Sequence, residues 1–174
     1  MECKMRYLPL IAVTLVAGCS TPQTAESVAV SEVVLAKLAR DNGSDAGVAT
    51  LSQRSDGFWL EVTATGLAPG EYGIHLHAVG KCDAPDFTSA GGHWNPAAKQ
   101  HGFDNPMGTH GGDLRNLVAI DGIGATLAKL PGTIADALDA DGLALVIHEK
   151  PDDYKSDPSG NSGKRVICGV FAKD

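Results

Sequence analysis

This sequence predicts an all-β fold, an eight-stranded antiparallel Greek-key sandwich or barrel with two long functional loops. Three observations carry that reading. Short apolar runs with a period of two recur along the chain, turn signals separate them, and two long stretches fit neither strand nor helix. In GFWLEVTATG, Phe58, Leu60, Val62 and Ala64 alternate with Trp59, Glu61, Thr63 and Thr65, the pattern of a half-buried strand. The other runs are VAVSEVVLAKLA, GVATLSQ, YGIHLHAV, RNLVAI, IGATLAKL, LALVIHEK and RVICGVFA, bounded by turns such as SDG, APGE, IDG and DADG. Aromatic residues make up only 5% of the chain while glycines number 21, a balance that suits short strands and tight turns. TIADALDA reads as a short helix or a loop. The two segments that are not strands run over 80–113 and 150–164; loops of that length are usually functional or disordered.

A chain of 174 residues with 43% hydrophobic content holds one domain with a proper core, plus an extra segment. The formal charge of −7 excludes a nucleic-acid partner, which calls for a basic face. Residues 1–18 read as a lipoprotein signal peptide: Lys4 and Arg6 open it, and the apolar run from Tyr7 to Ala17 is too short to span a bilayer. LVAGC, Leu15 to Cys19, resembles a bacterial lipobox, so Cys19 becomes the lipid-modified first residue of the mature chain. Residues 19–30 are then the lipidated cysteine and a flexible tether, and 31–174 the domain. Membrane contact is expected only through the anchor at Cys19. Ser20 stands where an aspartate would resemble an inner-membrane retention signal, which points to the outer membrane, facing the periplasm. With Cys3 lost in the signal and Cys19 lipidated, Cys82 and Cys168 remain. In an oxidising compartment such a pair reads as a disulfide. Zinc ligation is the alternative, although the pair lacks the close spacing of thiolate zinc sites.

The chemistry is concentrated in six histidines. His75 and His77 alternate with Ile74 and Leu76, so if the aliphatic pair faces the core, both rings project outward. In LALVIHEK the same parity turns Leu143, Leu145 and Ile147 inward and His148 outward. The first loop adds His93, His101, His110 and Asp113 in the spacing H-x7-H-x8-H-x2-D. Three imidazoles and a carboxylate make a closed tetrahedral set suited to zinc. Three strand imidazoles and one from the loop make a nitrogen-rich set suited to copper. His93 adjoins both, and if each of its ring nitrogens meets a metal, no histidine is left over.

GIHLH, GGHWNP, the histidine run ending in HGGDLRNL, LVIHEKPDD and GNSGKRVICGV together, in this order, resemble the copper,zinc superoxide dismutases, and the lipobox resembles the lipoprotein form of bacterial members. The resemblance covers the chain from about Ser31 to the end. It implies copper ligands at His75, His77, His93 and His148, and zinc ligands at His93, His101, His110 and Asp113, with His93 as the bridge. It also implies a disulfide between Cys82 and Cys168. Asp152 takes the place of the aspartate that links a copper-bound to a zinc-bound histidine, whereas its neighbour Asp153 suits a solvated turn. Arg165 matches the arginine beside the copper, and Ser159 falls where eukaryotic members have a threonine narrowing the channel.

The activity so implied is dismutation of two superoxides to dioxygen and hydrogen peroxide, protecting the cell envelope. One copper per chain alternates between oxidation states, and one zinc has a structural role. His93 is expected to carry a proton between half-reactions, and Arg165 to attract the anion with a charge that persists at any relevant pH. A local positive field in a cleft reconciles an anionic substrate with a negative protein; Lys81, Lys99, Lys155 and Lys164 are candidates to add to it. Ten residues separate Cys82 from His93, more than in eukaryotic members, and the stretch between His148 and Arg165 lacks their cluster of guiding charges. Both features look bacterial and leave monomer and homodimer open. A copper-delivery relative would lack a copper ligand or the arginine, and a copper-only enzyme would lack zinc ligands; every such residue is present.

Overall fold

The computed structural model describes residues 28–172. Residues 1–18, read as a signal peptide, Cys19, and all but the last three residues of the segment read as a tether lie outside the described residues. Among the described residues no helix is long and apolar enough to cross a membrane.

Nine strands follow in chain order: β1 (Val30–Arg40), β2 (Asp45–Arg54), β3 (Gly57–Thr65), β4 (Gly70–Tyr72), β5 (Ile74–His77), β6 (Leu117–Ile120), β7 (Ile123–Leu130), β8 (Leu143–His148) and β9 (Arg165–Phe171). All eight sequence runs are strands. The ninth arises because YGIHLHAV is broken: Gly73 separates β4 from β5, and Ala78 and Val79 belong to no strand. The sheet order is β4-β6-β7-β3-β2-β1-β9-β8-β5, antiparallel in every named pair. Its two end strands are therefore consecutive in the chain, and the sheet curls into a nearly closed barrel joined at Gly73. Gly73 donates to Lys150 O and accepts from His148 N, both at 2.8 Å. The connections from β5 to β6 and from β7 to β8 cross between the two sides, as a Greek key requires.

The period-two reading holds residue by residue in β3, whose burial alternates along its length. Phe58, Leu60, Val62 and Ala64 are buried, as are Leu38, Leu51, Ile74, Leu76, Leu143, Leu145, Ile147 and Phe171, all in one core cluster. The β6–β7 hairpin turns on Asp121 and Gly122, with φ of 51° and 84°; both residues need the left-handed region that an Asp-Gly pair tolerates. TIADALDA resolves as the short helix α1 (Ile134–Ala137), opened by a capping box in which Thr133 and Asp136 bond each other's backbone N–H.

The outward faces of β8 and β9 carry a second, smaller cluster. Ala144, Val146 and Cys168 pack there against Phe87 and Ala90 of the first loop, with Cys82 beside them. Cys82 and Cys168 form a disulfide, S–S 1.99 Å, that fastens the loop to β9. The first loop is thus built onto the outside of the barrel, over the strands that carry His75, His77 and His148.

Candidate metal centre

Strand parity sends His75 and His77 of β5 and His148 of β8 out of the core, and the loops bury them: 0%, 0% and 3% exposed. His93 reaches the same place because its backbone bridges to His77, just as Asp113 bridges to His75. Leu76 fixes this seam with both backbone groups, donating to Gly112 O at 2.9 Å and accepting from Trp94 N at 2.8 Å. A Cβ on Gly112 would stand 2.3 Å from Leu76 O, so this close approach requires glycine.

Four ring nitrogens converge here. His75 Nδ1 and Nε2 of His77, His93 and His148 are buried without a hydrogen-bond partner, and these four residues bring ligand atoms within 4.8 Å of one another. The opposite ring nitrogens set the tautomers. His75 Nε2 donates to Asp152 Oδ2 (2.7 Å), His77 Nδ1 to Gly91 O (2.9 Å) and His148 Nδ1 to Gly163 O (3.2 Å). Each partner leaves a lone pair aimed at the common centre. Burial, opposed by these hydrogen bonds, lowers the His75, His77 and His148 pKa values to about 3, 2 and 4. The rings are therefore neutral, the form that binds a metal.

A second cluster lies behind His93. Nδ1 of His93, His101 and His110 stands 2.9, 3.0 and 3.2 Å from Asp113 Oδ1. Asp113 Oδ2 accepts from Gly102 N, Thr109 Oγ1 and His110 N, and these bonds with His101 outweigh burial and hold its pKa far down. The donor atoms of His75, His93, His101 and Asp113 also lie within 4.8 Å of one another. His110 belongs to this cluster in place of His75, since His75 Nε2 is committed to Asp152 while His110 Nδ1 faces both Asp113 and His93 Nδ1 (3.3 Å).

Asp152 joins the clusters, accepting from His75 Nε2 on one oxygen and His101 Nε2 on the other, at 2.7 and 3.0 Å. Burial works against a charged His101, but the Asp113 and Asp152 carboxylates raise its pKa to about 9. Arg165 sits at the edge of the first cluster, its guanidinium donating to Phe87 O and Gly91 O, both 2.7 Å. Gly91 O therefore receives both His77 and Arg165. Lys164 lines the same cleft as Arg165, whereas Lys99 lines a different groove; Lys81 and Lys155 are exposed. Asp153 is exposed and serves a turn, as its sequence position suggests, and the Ser159 carbonyl accepts from Ser162.

Sequence reasoning missed Asn116 and Tyr154. Asn116 bonds the Asp152 backbone through both ends of its amide (2.8 and 3.1 Å), and its own N–H donates to Tyr154 Oη at 2.8 Å. The only available signal was its place in HGGDLRNL, three residues after Asp113.

The family model described as copper/zinc superoxide dismutase (SODC) matches residues 45–171. The chain belongs to the copper/zinc superoxide dismutase family. It is 42% identical to a Cu-Zn superoxide dismutase of Aquifex aeolicus over 143 residues, covering 78% of this chain and 85% of that one. It is likewise 42% identical to the Cu-Zn superoxide dismutase of Caulobacter vibrioides, over 75% of this chain and 80% of that one. Among solved structures, a SOD-like protein from Bacillus subtilis superposes with a TM-score of 0.76 at 40% identity, covering 83% of this chain and all of the other. Cu/Zn superoxide dismutase from Brucella abortus superposes at 0.66 with 28% identity, over 81% and 100%. Copper and zinc are the metals this copper/zinc superoxide dismutase family implies, and the two clusters fit them: a nitrogen-only set and a three-nitrogen, one-carboxylate set.

Proposed function

We propose that this chain is a lipid-anchored superoxide dismutase of the bacterial envelope, converting two superoxide anions to dioxygen and hydrogen peroxide. The observation that carries the reading is the quartet of unpartnered buried nitrogens on His75, His77, His93 and His148. Each unsatisfied buried polar atom costs about 1–3 kcal/mol, and one metal ion satisfies all of them. We assign copper to that quartet and zinc to His93, His101, His110 and Asp113, with His93 serving both sets through its two nitrogens. When bound, copper supplies a one-electron redox change, and zinc a fixed charge that orders the loop.

The remaining roles belong to the chain. Arg165, held by two loop carbonyls beside the quartet, attracts and orients the anion with its positive charge. His93 Nε2, unpartnered and buried, would hold copper, and when not so engaged it is the atom at which a proton could be held for the peroxide product. Asp152 keeps the His75 and His101 rings in register, so disturbance of one set reaches the other. The address rests on the signal-like residues 1–18 and the lipobox at Cys19, which support export, acylation and a place on the periplasmic face of the outer membrane.

The deciding experiment is metal analysis with superoxide-dismuting activity on the purified mature chain. One copper and one zinc per chain with rapid turnover, and loss of copper and activity in His148→Ala, support the reading. Stoichiometric copper without turnover overturns it in favour of a copper-binding protein. Mass spectrometry tests the anchor separately: an unmodified, uncleaved N-terminus refutes it.

A further inference from the structure

We propose that the rim of the barrel from which the tether leaves is a docking face for anionic lipid headgroups. This rests on the reading of Cys19 as a lipid anchor. Strand register places Val30 beside Arg54, Arg54 beside Gly57, Phe58 beside Leu130 and Trp59 beside Lys129, so these residues form one rim across β1, β2, β3 and β7. Lys129 lies three strands from the tether, about 15 Å at the usual strand spacing.

A groove of about 540 Å³ opens beside this rim. Its walls are largely apolar, with Phe103, Leu127 and Leu130 among them, and Lys99, Arg115 and Lys129 supply three cations. The one carboxylate in the lining, Asp113, has both oxygens committed to the histidine cluster and its loop. Among the described residues none of the three cations is ion-paired with a carboxylate. Trp59 stands close by, its ring 5.4 Å from the Arg54 guanidinium and 5.8 Å from Lys129 Nζ, with its indole N–H on Asp56. Cations around an amphipathic aromatic ring suit the boundary between headgroups and water. Val28, Val30 and Val33 add exposed apolar surface at the tether itself, each at least half exposed.

Chain length agrees with this placement. Val28 follows Cys19 by nine residues, so the rim stays within about 30 Å of the acylated cysteine even when the link is fully extended. A chain of net charge −7 is repelled by an anionic surface unless a local basic face is presented, and the groove is such a face. The rim at Val30 and the cleft of Lys164 and Arg165 lie toward opposite ends of β1. β1 runs ten residue steps, about 33 Å, from Val30 to Arg40, and Arg40 pairs with Ile167, two residues beyond Arg165.

The test is tryptophan quenching on the acylated full-length mature chain, bound to vesicles of brominated phosphatidylglycerol or brominated phosphatidylcholine. The expected result is quenching on phosphatidylglycerol that weakens with added salt. Trp59→Phe should abolish it, and Lys99→Gln with Lys129→Gln should abolish it while acylation, vesicle binding and metal content persist. An acylated chain left unquenched on phosphatidylglycerol, or quenched equally on phosphatidylcholine, overturns the docking face and leaves the anchor standing. An unacylated N-terminus defeats the anchor and the docking face with it.

Discussion

Asp152 and its surroundings concentrate the constraints of the site into a few atoms. A Cβ on Gly160, whose φ is +63°, would fall 1.8 Å from Asp152 Oδ1 and 2.7 Å from His101 Nε2. Gly160→Ala should therefore disrupt the carboxylate that joins both clusters and lower zinc and copper retention together, readable by chelator competition. Loss of one metal alone would contradict the shared role of Asp152. Protonation gives a second prediction. In the metal-free chain, His75, His77 and His148 stay neutral when folded but take up protons below pH 6.5 when unfolded. Stability should fall from pH 6.5 toward 4, at about 1.4 kcal/mol per pH unit for each ring. His101 acts in the opposite sense: raised to about 9, it gives stability that is full below 6.5 and lost as pH rises through 9. Calorimetry on the chelated chain should show a melting maximum near pH 6.5, and a monotonic rise to pH 9 would contradict it. The histidines and Asp113 were legible as a site because their residue type and spacing are chemically distinctive. Asn116 was not, because it acts by bonding the backbone of a residue far along the chain.

At the scale of elements, two loops do the work that strands cannot. Parity alone exposed His75, His77 and His148 as an outward set, since a strand fixes direction by counting. The break at Gly73 was invisible to that counting, because the alternation of apolar and polar side chains continues across it while the backbone changes partners, from β6 to β8. The disulfide matters through what hangs on it. Phe87 O and Gly91 O, which position Arg165, belong to the segment that Cys82 fastens to β9. Closing a loop of 86 residues stabilises by up to about 4–5 kcal/mol on the chain-entropy account. Cys82→Ser should lower the melting temperature. It should also reduce kcat/KM for superoxide at nearly unchanged metal content, because the carbonyls that aim Arg165 lose their anchor. A variant less stable but equally fast would confine the disulfide to stability.

Over the whole molecule, a net charge of −7 coexists with an anionic substrate because the field that matters is local. Lys164 and Arg165 share a cleft, with Asp86 as one of its acids. Encounter governed by these cations should slow as ionic strength rises, and Lys164→Glu should flatten or reverse that dependence in stopped-flow assays. An unchanged salt profile would mean that Lys164 plays no part in the encounter. The barrel's closure has one more consequence. Because β4 and β5 meet only through Gly73, β5 has no strand on its outer side, and the metal loop occupies that edge by bonding Leu76 from Gly112 and Trp94. The loop that binds the ions thus also shields a raw sheet margin from other chains. Emptied of metal, the chain should become a partner for its own kind, so copper and zinc starvation would cost solubility as well as turnover.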